Sequence, residues 1–223
     1  MSTKRKLDIY YSAKKAPKKK TDDDASLNGS SVLDIIGLGA KNSDKKITRE
    51  SNHIYFHSEV DRDSIFELCA LLREVEEDNM FIAYKMHLDP VPIYLHINSY
   101  GGSIFAAFAA IDCINASKVP IYTIIEGAVA SAGTLISVFG KKRYIRPSAY
   151  MLIHQLSSGF WGKMSEIEDE HTNLTELMRR ILAIYKDNTK IPKKELQDLL
   201  RHDLWLNSDK ALKYGLVDEL YEL

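Results

Sequence analysis

The chain has 223 residues but only two cysteines, Cys69 and Cys113. Two cysteines cannot build a disulfide framework. A chain of this length does not need one, because it can bury a core of its own. Both are expected as buried thiols in a reducing compartment. No apolar run is long enough to span a bilayer. No apolar stretch follows the first basic residues, as a secretory signal requires. Internal repeats are absent. Net charge is nearly absent too: 30 Lys and Arg face 31 Asp and Glu, leaving −1. That excludes a strongly basic nucleic-acid binder. What remains is 45% hydrophobic and 27% charged, the balance of a globular protein.

The small net charge hides a boundary. Residues 1–46 carry 11 Lys and Arg and 6 Asp and Glu, a surplus of +5. The remainder carries 19 and 25, or −6. The first segment is expected to be a basic, disordered tail, since it has too few large apolar residues to offset its ordering entropy. Val32–Leu38 is its one apolar stretch. Its lysine clusters suit an acidic partner, a targeting segment or a processed propeptide, and a plain solvated tail equally. Residues 47–223 are expected to form one domain.

In that domain strands alternate with helices. Strands are expected at Ile54–Phe56, Ile93–Ile97, Pro120–Ile125, Tyr144-Ile145, Tyr150–Ile153 and Leu216–Leu220, with Glu126-Gly127 closing the third. Helices are expected at Asp61–Glu77, Ile104–Ile114, Ser131–Phe139, Lys193–Arg201 and Asn207–Tyr214, the last capped by Gly215. This alternation implies βαβ units around a buried parallel sheet, an α/β fold. A long helix over 164–188 carries Met164, Ile167, His171, Leu174, Met178, Ile181 and Tyr185 at steps of three and four. Such a seam fits a helix packed on the sheet, or one turned toward another subunit.

Three segments are unlike ordinary core. In Gly127-Ala128-Val129-Ala130-Ser131-Ala132-Gly133 a serine sits where a strand gives way to a helix. That places a hydroxyl beside free backbone N–H groups; the plainer reading is a helix-capping serine. Ser99-Tyr100-Gly101-Gly102-Ser103 lies between strand and helix, and its glycine pair can present N–H groups to an anion. It lacks the glycine spacing of a dinucleotide site, and no Walker lysine is present. His154 follows an apolar strand, a natural place for a base. Serine needs such a base, and the base needs a carboxylate. Spacing alone leaves Asp112, Asp169, Asp187, Asp198, Asp203, Asp209 and Asp218 all open.

Four stretches together resemble the proteolytic subunit of the ATP-dependent Clp protease, the ClpP family. They are Ile97–Ser103, Gly127–Gly133, Met151-Leu152-Ile153-His154-Gln155 and Tyr214-Gly215-Leu216-Val217-Asp218. The resemblance covers roughly four-fifths of the chain. It implies a crotonase-like α/β fold of repeated ββα units with a protruding handle helix at 164–188. It implies Ser131 as nucleophile, His154 as base and Asp203, ahead of Trp205-Leu206, as the acid. Gly102 and Ala132 N–H groups fall at the oxyanion hole, and Gly101, Gln155 and Leu156 at the substrate. A strand after the 155–159 loop is expected to pair with extended substrate. The resemblance also implies heptameric rings stacked as a tetradecamer, an AAA+ unfoldase partner, polypeptide substrates, and a cytoplasmic enzyme with neither cofactor nor metal. Departures are Tyr100 where the family has proline, a shorter loop at 140–143, and Phe160-Trp161 before the handle. Two other classes stay open: acyl-CoA chemistry on the same superfold, and a non-catalytic ring subunit.

Overall fold

A computed structural model describes residues 47–222. The basic segment 1–46, with Val32–Leu38, lies outside the described residues. The elements run β1 (Ile47–Glu50), β2 (His53–Phe56), α1 (Arg62–Met86), β3 (Ile93–Ser99), α2 (Ile104–Ala116), β4 (Ile121–Ala130), α3 (Ala132–Ser137), β5 (Lys142–Ile145) and β6 (Tyr150–Leu152). They continue as α4 (Met164–Asn188), α5 (Lys193–Leu199), β7 (Leu206–Asn207), α6 (Ser208–Lys213) and β8 (Glu219–Leu220).

One sheet runs β1-β2-β3-β4-β5-β8, with β6 on β4 and β7 on β6. From β2 to β8 the ladder is parallel. The α/β expectation is met. Parallel strands covered by helices need apolar side chains on both faces. Accordingly Ile93, Leu95, Ile97, Ile124, Ile125 and Ile145 are fully buried. Each contributes about 1.5–3 kcal/mol relative to exposure.

The third expected strand does not close at Glu126-Gly127. β4 runs on to Ala130 and changes partner on the way: Tyr122–Ile125 pair with β5, and Ala128–Ala130 pair with β6. Gly127 turns the strand at φ +60, with Asn98 Nδ2 3.1 Å from where a Cβ would lie. Only glycine takes that angle without strain. The short antiparallel strand β1 had no signal of its own.

α1 starts as expected, with Asp61 and Ser64 exchanging the bonds of a capping box. It then runs nine residues beyond Glu77, since the run ends at Met86. Asn79 and Ala83 keep its buried stripe going, while Phe81, Tyr84 and Met86 are exposed. The seam of α4 divides along its length. Met164 is 70% and Ile167 45% exposed, whereas Ile181, Ile184 and Tyr185 are buried. His171, expected to pack, is exposed. α6 ends as expected: Leu216 N–H reaches Ala211 O and Gly215 N–H reaches Leu212 O, with Gly215 at φ +64. Among the described residues no helix is long and apolar enough to cross a membrane.

Candidate active site

Ser131 joins β4 to α3 at φ 54, ψ −126. That is the region of a type II′ turn, where glycine is the usual occupant. A non-glycine residue held there costs of order 1–3 kcal/mol and needs surroundings that enforce it. Those surroundings are specific. Ser131 N–H donates to Leu152 O at 2.9 Å. Its C=O accepts from Thr134 Oγ1 at 2.6 Å. Thr134 Oγ1 is in turn 2.6 Å from Tyr185 OH, which α4 carries into the core. Ser131 occupies the N-cap position of α3, but its side chain makes no capping bond. The plain capping role weighed from sequence is therefore not the one its hydroxyl performs.

The β4–β6 register pairs Ala130 with Leu152. Leu152 holds the serine amide, and His154 follows two residues later. The same ladder thus sets both groups on one cavity, lined by Gly102, Ser103, Ser131, Ala132, His154 and Gln155 among others. Leu156, Ile181 and Tyr185 also line it.

Gly102 and Ala132 both line this cavity. Ala132 is the first residue of α3, so its N–H has no acceptor inside the helix. Gly102 forms a parallel bridge with Val60 through its neighbours: Val60 N–H reaches Gly101 O at 2.8 Å and Ser103 N–H reaches Val60 O at 2.7 Å. In that pattern the N–H of the residue between points away from the bridge.

Gly101 is not among the cavity-lining residues. Its C=O goes to Val60 and its N–H to Ser99 Oγ at 3.2 Å. A Cβ on it would lie 2.7 Å from Ser131 Cβ and 2.9 Å from Ala132 N. Its place is beneath the serine. Gln155 N–H is likewise engaged, at 2.6 Å from Leu200 O. No strand follows the 155–159 loop; residues 153–163 have no regular structure before α4 begins. The expected substrate-pairing strand there is corrected by this.

The His154 side chain is 14% exposed. Burial holds its imidazole below the ordinary value, while the Asp203 carboxylate and a backbone hydrogen bond at Gln155 pull upward. Asp203 lies after α5, 82% exposed, with Oδ1 3.8 Å from His154 Nδ1. That is ion-pair range but longer than a hydrogen bond. None of the seven candidate aspartates, Asp203 included, is among the cavity-lining residues, and Asp203 is set apart by its approach to His154. No group of three metal-binding side chains occurs among the described residues.

Thr134 and Tyr185 escaped the sequence reading as site residues. Thr134 stands three residues after the serine, on the same helical face, and Tyr185 ends the α4 seam. Those spacings were the available signals.

A strained serine at a strand-to-helix turn thus shares one cavity with a histidine and with Gly102 and Ala132. Comparison with known proteins carries this further. The sequence model of the Clp protease family matches residues 45–223. The ATP-dependent Clp protease proteolytic subunit of Streptococcus mutans is 36% identical over 157 residues, 66% of this chain and 80% of that protein. The subunit of the same name from Deinococcus radiodurans is 31% identical over 155 residues, 67% of this chain and 76% of that one. The solved structure of a ClpP1 mutant from Listeria monocytogenes superposes with a TM-score of 0.64 at 26% identity, covering 74% of this chain and 88% of that one. The chain belongs to the Clp protease family.

Proposed function

We propose that this chain is a serine endopeptidase, the proteolytic subunit of an ATP-dependent protease that cuts unfolded polypeptides into short peptides. The observation that carries the reading is Ser131 itself. Its backbone is strained, its hydroxyl caps nothing, and it shares a cavity with His154 and the Gly102 and Ala132 amides.

His154 accepts the Ser131 proton as Oγ attacks the peptide carbonyl. The Gly102 and Ala132 N–H groups stabilise the oxyanion, and one such donor is typically worth about 2.7–4 kcal/mol in the transition state. Collapse expels the amine, which takes the proton from His154. Water then hydrolyses the acyl-enzyme by the reverse roles. Asp203 orients His154 and balances its charge once protonated. Gln155 and Leu156 flank the bound peptide, and Gly101 gives the serine loop room. No step calls for a metal or cofactor.

The reading includes heptameric rings stacked as a tetradecamer, an AAA+ unfoldase and a cytoplasmic setting. Its support is the ATP dependence in the relatives' name and the exposed apolar start of α4, where Met164 is 70% exposed, with Trp161 just before the helix 95% exposed. Such a surface fits contact with another copy.

The test pairs a fluorophosphonate probe with hydrolysis of an unstructured peptide. Labelling should map to Ser131, and Ser131→Ala should lose labelling and hydrolysis together. Undiminished turnover by that variant overturns the reading. Assembled protein whose Ser131 takes up no probe marks a non-catalytic subunit instead.

A further inference from the structure

The two cysteines lie together although 44 residues separate them in sequence. Cys69 comes from α1 and Cys113 from α2. The Cys113 Sγ donates to the Cys69 carbonyl oxygen at 3.9 Å, and each thiol shifts the other's ionisation. Both line an open groove between the helices, together with Arg73, Phe66 and Phe105. Cys69 is buried. Cys113 is half-buried, contrary to the expectation that both would be fully enclosed.

The two sulfurs differ electronically. The Cys69 thiol, helped by Arg73, brings Cys113 down to about 7 against the pull of burial. Cys113, together with burial, pushes Cys69 far above its ordinary value. Cys113 is also the more exposed of the two, so an oxidant in the groove meets the more readily ionised thiol first, and Cys69 behind it is placed to resolve the oxidised form.

We propose that Cys113 and Cys69 are an oxidisable dithiol, in which Cys113 is attacked first by a small hydroperoxide entering the groove and Cys69 closes a disulfide between α1 and α2. In the first step the Cys113 thiolate bonds to the terminal peroxide oxygen. The O–O bond breaks, and the departing alkoxide or hydroxide takes a proton. Cys113 becomes a sulfenic acid. In the second step the Cys69 sulfur bonds to the Cys113 sulfur. The S–O bond breaks, and hydroxide leaves with the Cys69 proton as water. Two thiols lose two electrons, and one hydroperoxide is reduced to an alcohol, or to water, plus water. α2 begins at Ile104, directly after Gly102 and Ser103. The bridge therefore ties the helix that carries the oxyanion-side loop to its neighbour. The proposal stands on the thiols and the groove and does not depend on the peptidase reading.

The experiment uses the full-length reduced protein under native conditions, treated with hydrogen peroxide near stoichiometry. With only two cysteines in the chain, intact mass reports the product without ambiguity. The expected result is a loss of about two mass units, reversed by dithiothreitol. Peptide mapping should show Cys69 joined to Cys113, and the oxidised protein should melt at a higher temperature than the reduced one. Cys69→Ser should instead hold a Cys113 sulfenic acid that dimedone traps. Cys113→Ser should give neither product. Retention of two alkylatable thiols after peroxide treatment of the wild type overturns the proposal, as does a disulfide found only between separate chains.

Discussion

Replacing Thr134 by valine keeps the shape of the residue and removes its hydroxyl. In the folded protein that hydroxyl joins Tyr185 OH to the Ser131 carbonyl, each at 2.6 Å. Two buried hydrogen bonds are lost, at about 1 kcal/mol each. The Tyr185 hydroxyl is also stranded inside the core, which adds a further desolvation cost of about 1–3 kcal/mol. Thr134→Val should thus cost about 3–5 kcal/mol. Tyr185→Phe loses one bond and strands only the threonine oxygen, so about 1–2 kcal/mol is expected. The double variant has no stranded phenol and should be more stable than Thr134→Val alone. That non-additivity is the signature of a shared network. Urea denaturation of all four proteins measures it. Fluorophosphonate labelling rates taken alongside report whether the strained Ser131 keeps its angle. Thr134→Ser should restore both readouts. Strictly additive stabilities, or labelling unchanged in Thr134→Val, would refute the argument that this relay holds the serine loop.

The remaining predictions address the same cavity. Because burial sets the His154 imidazole below its ordinary value, the neutral base is present across the neutral range. Activity should rise with pH through a pKa below the ordinary histidine value of about 6.5 and then level off. Asp203→Asn removes the charge that raises that pKa, so the acid limb should move to lower pH while kcat falls; a limb moving to higher pH contradicts the assignment. Gly102→Ala puts a Cβ 2.3 Å from Val60 O at φ +147, which must displace the bridge. Its kcat for a peptide substrate should fall by about 100-fold or more with KM little changed. A loss confined to KM would show that the Gly102 amide serves binding alone.

Much of this architecture was legible because parallel strands and their helices obey simple periodicities. Ile93–Ile97 and the α2 run announce themselves by apolar content. Asp61 and Gly215 mark helix ends by chemistry that is local. What stayed hidden depends on partners distant in sequence. β4 continues through Gly127 because β6 waits to pair with Ala128–Ala130, and nothing within residues 121–130 reports that. α1 runs past Glu77 because its buried stripe narrows to Asn79 and Ala83, which a search for large apolar residues passes over. At the site, Ser131 and His154 could be singled out by their positions at strand ends. Asp203 could be chosen only by resemblance, because it stands 49 residues beyond His154 and only the fold brings the two together. Tyr185 looked like seam packing because its hydroxyl partner lies 51 residues away.

Position 131 sets folding and chemistry against each other. A backbone at φ 54, ψ −126 is one that glycine enters freely and serine enters at a cost. Sequence drift under selection for folding alone would carry this position to glycine, and the hydroxyl would be the first thing lost. If Ser131 is the nucleophile proposed above, loss of the hydroxyl by that route would leave a more stable protein, with the same strands and cavity, that is inert toward peptides. On the proposed reading, stability is then no proxy for competence in this chain, and the conversion of an active copy into a silent one is a downhill step.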